Sequence, residues 1–324
     1  MPFNTKMTAM LGIEHPIMQG GLNNLATPAL AAAVSNAGGL GTLNSSMYPD
    51  TAAFRDAVQE LKSLTKKPFC VNVSILPGVK FEELTEGYVR ATIEEGVKII
   101  ETSGRNPEPY IPMIKEAGMM LIHKVANIKL VKKAHQIGAD IVSVVGYECG
   151  GHPGMDEVTT MVLVNKACRV VPIPVIAGGG IVDGRSFLAA LALGAEGVVM
   201  GTRLMATEEC PLNQRFKEWI LESDETSTMT IQRSVKNMLR VLKNDTACEA
   251  FAMEQKGAAF EELFPVISGQ RGRDAQTRGD INGGVFSAGM AVGLIDKILP
   301  VAQVIDSVIR EAEEGLARLQ RFGG

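Results

Sequence analysis

The sequence contains few cysteines, and none of them are spaced as a metal site or a redox motif would require. The five cysteines in this chain of 324 residues are an odd number at unrelated spacings, and no CxxC occurs. This pattern supports neither a disulfide framework nor a zinc site. We therefore predict no metal site, and we expect the reducing environment of the cytoplasm.

Long apolar runs and an excess of basic residues are missing too. The longest apolar stretch, residues 187–202, is interrupted by Glu196 and by glycines, and it is too short to span a bilayer. The first residues show no apolar core or cleavage signal, so we expect no secretory peptide. With 32 basic and 36 acidic residues the net charge is −4, which argues against nucleic acid as the main partner.

The sequence is instead built from a repeated unit, in which a short apolar run is followed by a stretch with helical periodicity. Eight such runs are predicted to be strands, at residues 16–19, 40–43, 69–73, 98–102, 120–125, 140–146, 174–178 and 197–201. The runs are continuously apolar, as expected for parallel strands covered on both faces. Eight units predict an α/β fold, a closed (β/α)8 or TIM barrel, rather than an open doubly wound sheet.

The repeat stops after Thr202. Residues 208–268 are predicted to form helices without strands, including 212–222 and 230–243. On the second of these helices Arg233, Lys236, Arg240 and Lys243 would share one face, which could meet a phosphorylated ligand, an acyl carrier protein or only solvent. We predict that residues 1–207 and 286–324 form the barrel and that residues 208–285 form a small inserted helical domain on the substrate side.

Glycines follow the seventh and eighth predicted strands, at positions 178–180 and 201. Glycine lets backbone N–H groups approach a phosphate, and a following helix would point its positive end at that phosphate. The loops after strands seven and eight are the usual phosphate site of such barrels. A GxGxxG fingerprint fails at Asp183, and a P-loop fails because Arg185 replaces the lysine. The alternative is a pair of glycine turns without function.

Three other strand ends carry residues that suit chemistry. Gly20 and Gly21 follow the first strand, where a flat ring could lie against the backbone. Lys124 ends the fifth strand and could stabilise the anionic edge of a reduced flavin, or could simply face solvent. His152 lies between glycines in the loop after the sixth strand, where it could act as a base, bind a substrate or be structural. Cys149 is interpreted as packing, because no Cys–His–Asx arrangement accompanies it.

Six segments of the sequence together resemble a known family. They are residues 15–21, 37–41, 71–73, 148–152, 177–180 and 200–203. Over nearly its whole length the chain is similar to the nitronate monooxygenase (2-nitropropane dioxygenase) superfamily of FMN-dependent (β/α)8 barrels. The resemblance implies an FMN-dependent oxidoreductase with small-molecule substrates, and a homodimer is one option for its assembly.

Three activities are open to a member of this superfamily. Residues 148–157, 122–124, 74–77 and 268–273 are similar to the NAD(P)H:quinone reductase subgroup. The resemblance therefore favours hydride transfer from NADH or NADPH to FMN, followed by electron transfer to a quinone. The alternative is a nitronate monooxygenase that oxidises alkyl nitronates with O2, and an enoyl-acyl-carrier-protein reductase comes third.

The resemblance also implies the residues of the site. His152 would be catalytic, and Pro77 would lie on a mobile loop that gates access to the flavin. The residues expected to contact FMN are Gly21, Leu22, Asn23, Ser74, Lys124, Gly150, Gly178, Gly179, Gly180, Gly201 and Thr202.

Overall fold

The computed structural model describes residues 3–75 and 79–322, with the side chains of residues 79–81 left out. Pro77 lies outside the described residues. Eight parallel strands form one sheet in the order β1-β8-β7-β6-β5-β4-β3-β2. The strands are β1 Ile17–Gln19, β2 Gly41–Asn44, β3 Phe69–Ile75, β4 Ile99–Gly104, β5 Met120–Val125, β6 Ile141–Val145, β7 Val175–Gly178 and β8 Gly197–Met200. They correspond one to one to the eight predicted runs.

The sheet closes on itself, as predicted for a (β/α)8 barrel. β1 pairs with β8, with Ile17 opposite Val198. On its other side β1 meets the start of β2 through a parallel bridge between Met18 and Leu40. Closure leaves no free sheet edge and brings all eight carboxyl ends of the strands to one mouth.

Helices follow the strands and cover the barrel. They are α1 Lys6–Leu11, α2 Pro28–Asn36, α3 Thr51–Leu64, α4 Val79–Glu94, α5 Ile111–Glu116, α6 Ile128–Gln136, α7 Thr160–Val170, α8 Gly184–Ala192, α9 Thr202–Met205, α10 Gln214–Glu222, α11 Asp245–Gln255, α12 Phe260–Ile267, α13 Gly269–Arg278 and α14 Val301–Gln320. α2 begins as its sequence predicts, with the Thr27 hydroxyl accepting from the Leu30 N–H and proline at the first helical position. No described helix is long and apolar enough to cross a membrane.

An apolar layer fills the barrel towards the amino ends of the strands. Each strand or its preceding residue contributes one buried side chain, and the eight are Met18, Leu40, Cys70, Ile99, Ile122, Ile141, Ile176 and Val199. Met7 and Leu11 of α1 pack against this layer from below. Because this end is filled, a ligand of the barrel would bind at the opposite end, above the layer.

The predicted helix over residues 230–243 is wrong. This segment forms an antiparallel hairpin of β9 Thr228–Ile231 and β10 Leu239–Leu242. The physical reason is alternation, because Ile231, Leu239 and Val241 point to one side and are buried against α11 and α12. The basic helix face therefore does not exist. The division of the chain at residues 208 and 285 stays a prediction.

The side of β2 that faces α2 leaves no room for a side chain at Gly41. A Cβ atom added there would lie 1.8 Å from the carbonyl oxygen of Ala31. We expect Gly41→Ala to lower the free energy of unfolding by about 3 kcal/mol, because a helix would have to move away from the strand that closes the barrel. Urea unfolding followed by circular dichroism measures this.

A second alanine variant provides the control. At Gly269, which begins α13, an added Cβ would come no closer than 3.7 Å to the Arg273 side chain. Gly269→Ala should change stability by less than about 1 kcal/mol. Equal stability of the two variants would contradict the close helix–strand contact at Gly41.

Candidate active site

A polar layer lies directly above the apolar one. Side chains two residues further along a strand point the same way, and in β3, β4 and β5 these are Asn72, Glu101 and Lys124. The Glu101 carboxylate is fully buried, with Lys124 Nζ 3.2 Å from its Oε2. The Asn72 amide donates to the same carboxylate oxygen. Three neighbouring strands are thus joined by one chain of polar contacts inside the barrel.

Several buried polar atoms of this layer have no partner among the described residues. They are Glu101 Oε1, Ser143 Oγ and Thr42 Oγ1. Burying a polar atom costs free energy unless it has a hydrogen-bond partner. These three atoms lie where the barrel opens at the carboxyl ends of its strands. Lys124, at 23% side-chain exposure, is the member that reaches the opening. Lys124 is therefore not a free solvent lysine, since Glu101 compensates part of its charge.

The loop after β7 forms a cradle that only glycine permits. A Cβ on Gly178 would lie 2.5 Å from Val199 Cγ1, and Gly179 and Gly180 have φ angles of +94° and +76°. The backbone N–H groups of Gly179 and Gly180 donate no hydrogen bond within the described part of the chain. Adjacent unpaired N–H groups of this kind form a concave anion site.

The start of α8 differs from the expectation. Its positive end was expected to face a phosphate, but carboxylates already occupy it. The Gly184 N–H donates to Glu311 Oε2 at 3.0 Å, and the Ser186 N–H donates to Asp183 Oδ1 at 2.8 Å. A phosphate at this end of the barrel would therefore depend on the glycine loop itself and on the adjacent residues after β8.

The loops after β1, β6 and β8 meet around the same opening. A Cβ on Gly201 would be 3.4 Å from Leu22 Cδ2, and the Thr202 hydroxyl accepts from the Gly289 N–H at 2.9 Å. A Cβ on Gly150 would lie 2.6 Å from the Ala288 carbonyl carbon. The segment at residues 288–289 therefore closes one side of the opening, a role that the sequence did not reveal.

The opposite wall comes from β3 and the first loop. Gly21 lies so close to Asn72 that an added Cβ would be 2.7 Å from Asn72 Cγ. Ser74 Oγ is 3.2 Å from both Asn72 Oδ1 and Ser103 Oγ. Asn23 is exposed at the rim. The residues expected to contact the flavin thus surround one opening at the carboxyl ends of the strands.

Glu148 joins the histidine loop, residues 146–154, to the start of α7. Its carboxylate accepts from the Thr160 N–H at 2.8 Å and from the Thr160 hydroxyl at 2.7 Å, which caps α7. The pKa of Cys149 is raised to about 12, mainly by burial. Cys149 is therefore a neutral thiol at physiological pH, consistent with its interpretation as packing.

The hairpin β9–β10 also contacts the histidine loop. Gly151 and Arg240 exchange backbone hydrogen bonds of 3.1 and 2.6 Å. The buried Arg240 guanidinium lies over the Tyr147 ring, 4.4 Å from its centroid. Asn237 Nδ2 is 3.3 Å from His152 Nε2. The insertion therefore contacts the one predicted catalytic residue directly.

His152 is exposed to solvent, although neighbouring protein atoms enclose much of its ring. This enclosure lowers the pKa of His152, and the positive charge of Lys124 lowers it further. Since the ordinary histidine value is near 6.5, the imidazole is neutral at pH 7. It can donate one hydrogen bond and accept another.

Two residues of the site were missed in the sequence. Glu101 had a signal, because it lies in the predicted strand 98–102, and a carboxylate in a buried strand is costly unless it has a partner. Asn237 had none, since it was assigned to a helix.

The chain is similar to several known proteins. The family model for nitronate monooxygenase matches residues 4–311. A protein of Rhodococcus jostii (strain RHA1), named (3aS,4S,5R,7aS)-5-hydroxy-7a-methyl-1-oxo-octahydro-1H-indene-4-carboxyl-CoA dehydrogenase, is 31% identical over 95% of each chain. A probable nitronate monooxygenase of Staphylococcus aureus (strain MSSA476) is 33% identical over 74% of this chain and 78% of its own. The structure of FabK from Thermotoga maritima has a TM-score of 0.91 and 40% identity, and the match covers 98% of this chain and 99% of FabK.

The ion pair inside the barrel gives one prediction. Glu101→Gln should lower the free energy of unfolding by about 2 kcal/mol, because it leaves the Lys124 ammonium without its carboxylate. Glu116→Gln, on the exposed side of α5, is the matched control and should stay within about 0.5 kcal/mol of the wild type. If urea unfolding gave both variants the same stability, the pair would not contribute to it.

His123 gives a pH-dependent prediction. It is buried on β5 with Nδ1 2.9 Å from Thr102 Oγ1, and its pKa is lowered to about 4, mainly by burial and further by Lys124. Between pH 6.5 and 4 the unfolded chain binds this proton and the folded chain does not. The contribution of His123 to stability is therefore complete above pH 6.5 and falls by about 3 kcal/mol as the pH drops to 4.

The measurement is a series of urea unfolding curves from pH 7.5 to 4.5 for the wild type and His123→Gln. We expect the stability difference between the two proteins to shrink steadily as the pH falls. A difference that does not depend on pH would show that His123 titrates normally in the folded protein.

Proposed function

Because the chain belongs to the nitronate monooxygenase family, we propose that it is an FMN-dependent nitronate monooxygenase, which oxidises alkyl nitronates with O2. That it is a flavin-dependent oxidoreductase follows from the family. FMN as the particular flavin and the nitronate as the substrate are the proposal. The observation that supports the choice of substrate is that the His152 imidazole is near enough to the Lys124 ammonium for that charge to lower its pKa. A hydrogen-bond donor beside a cation suits a small organic anion.

The comparisons support this activity over the NAD(P)H:quinone reductase that the sequence resemblance favoured. Both the matching family model and the Staphylococcus aureus relative carry the name nitronate monooxygenase. Hydride donation by NADH or NADPH and a quinone acceptor stay hypotheses, which the experiment below includes.

The residues around the opening fit FMN. The unpaired N–H groups of Gly179 and Gly180, with Gly201 and Thr202 beside them, would hold the phosphate, and Gly178 would leave room for it. Gly21, Leu22, Asn23, Ser74, Lys124 and Gly150 would hold the ring. When bound, FMN would supply the electron-accepting chemistry of the reaction. Residues 208–285 would form the substrate side, since their hairpin contacts the histidine loop.

The chain's own groups would bind and orient the nitronate. The Lys124 ammonium would attract the anion, and the neutral His152 ring would donate its N–H to a nitronate oxygen. Because Glu101 satisfies one N–H of Lys124, the other two remain for ligands. The backbone pairing of Gly151 with Arg240 would keep the imidazole in place and limit the access of water.

A second candidate, a redox reaction on an acyl thioester, has one observation in its favour. The Rhodococcus jostii relative, which is similar over 95% of both chains, is named as a dehydrogenase of a carboxyl-CoA compound. An enoyl-acyl-carrier-protein reductase, the third activity considered from the sequence, would also act on an acyl thioester. The basic helix face suggested as a docking site for its carrier protein is absent, because that segment is the hairpin.

The test is an anaerobic flavin assay on the purified protein. Flavin absorbance is followed after separate additions of ethyl nitronate, NADH, NADPH, an enoyl-CoA with NADH, and a quinone with NADH. We expect bleaching by the nitronate and recovery of the oxidised spectrum when air is admitted. Bleaching by a nicotinamide alone, with no response to the nitronate, would contradict the proposal. Reoxidation by the enoyl-CoA would then favour the thioester reaction, and reoxidation by a quinone would favour the reductase.

A histidine variant tests the role of the imidazole. His152→Asn should lower kcat/KM for ethyl nitronate by about 10- to 100-fold, because it removes a hydrogen bond to a charged group. His135→Asn, on the exposed face of α6, is the matched control and should match the wild type. Unchanged kcat/KM in His152→Asn would exclude His152 from the site of reaction.

A further inference from the structure

Asn237 occupies the turn between β9 and β10 and touches His152. Its Nδ2 is 3.3 Å from His152 Nε2 and 3.3 Å from Gln232 Oε1. An amide nitrogen carries two hydrogens, so one is available for each partner. In the structure the Gln232 side chain turns its oxygen towards Asn237, and an oxygen can only accept, so the nitrogen of Asn237 faces both partners.

The turn that carries Asn237 is anchored from the core of the insertion. One oxygen of the Glu254 carboxylate, on α11, accepts from the Gln232 N–H at 2.7 Å, and the other accepts from the Ser234 N–H at 3.0 Å. The Asn237 N–H donates to the Gln232 carbonyl at 3.1 Å. Gln232 is buried although its φ angle is +62°. These contacts hold the Asn237 side chain in a defined place.

The contact decides which nitrogen of His152 carries the proton. Asn237 Nδ2 can only donate, so His152 Nε2 must be the unprotonated acceptor and the hydrogen of the neutral ring must be on Nδ1. We propose that Asn237 is a positioning residue, which selects the Nδ1–H tautomer of His152 and so presents Nδ1–H as the donor to substrate. This rests on the proposed function only in assigning that donor to a nitronate oxygen.

The charges around His152 are consistent with this assignment. The charge of Lys124, on β5, opposes the protonation of His152. Arg233 of the hairpin and Glu157, three residues after the histidine loop, form an ion pair with each other. The Asn237 amide that donates to Nε2 also favours the neutral ring, as Lys124 does. A protonated ring would itself have to donate a hydrogen bond at Nε2.

The experiment is nitrogen-15 NMR of the FMN-loaded protein labelled at histidine. The chain has four histidines, and His152→Asn identifies the signals of position 152. In the wild type we expect a protonated Nδ1 and an unprotonated Nε2 at pH 7.5. In Asn237→Leu the two signals should move toward the tautomer mixture of free imidazole. In Asn237→Asp the assignment should invert, because a carboxylate accepts from Nε2–H, and the pKa of His152 should rise.

Kinetics give the second readout. Asn237→Leu should lower kcat/KM for ethyl nitronate by about 3- to 10-fold, which corresponds to the loss of one hydrogen bond. Lys236→Gln, at an exposed position of the same turn, is the control and should keep the wild-type tautomer and rate. A backbone NMR spectrum that matches that of the wild type would show that each variant is folded.

A wild-type His152 protonated on Nε2 would overturn the inference without any variant. So would an Asn237→Leu spectrum identical to the wild type. If the tautomer is Nδ1–H and inverts in Asn237→Asp while ethyl nitronate is not oxidised, the positioning role stands and the proposed function fails.

Discussion

The ion pair between Glu101 and Lys124 determines the electrostatics of the candidate site. A carboxylate with no exposed surface is tolerated inside a barrel only if a cation and hydrogen-bond donors compensate it, and Lys124 and Asn72 do so from the two adjacent strands. The pair depends on the register of β4 and β5, which places Glu101 opposite Ile122. A slip of one residue would turn one of the two side chains away from the barrel interior.

The lysine of this pair also changes the pKa values of neighbouring groups. The charge of Lys124 lowers the pKa values of His152 and His123, and it partly offsets the effect of burial on Cys149. One ammonium therefore helps to keep both imidazoles neutral. Since the ammonium is fixed by a buried carboxylate on the next strand, this effect does not depend on a flexible surface side chain.

The site is made from two parts of the chain with different physical requirements. The barrel supplies a rigid opening in which glycines leave the backbone accessible, and Gly178 is the clearest case because Val199 excludes a side chain there. The hairpin supplies the contacts that orient the histidine loop, through Arg240 and Asn237. Loops carried on a rigid barrel are where such enzymes vary their substrates.

The barrel could be predicted from the sequence because its strands are continuous apolar runs bounded by glycine or polar residues. The fifth strand was predicted with its observed bounds, Met120–Val125. The hairpin could not, because the spacing of its basic residues is typical of a helix, while the residues it packs against lie further along the chain in α11 and α12. The capping of α8 by Glu311 was also beyond prediction, since it joins residues 127 positions apart.

Backbone N–H groups at the mouth of the barrel would bind the phosphate of FMN. The direct measurement is a fluorescence titration of the flavin-free protein with FMN and with riboflavin, which lacks the phosphate. We expect riboflavin to bind at least about 100-fold more weakly, as the loss of two charge-assisted hydrogen bonds implies. Equal affinity for the two flavins would contradict the phosphate site in the glycine cradle.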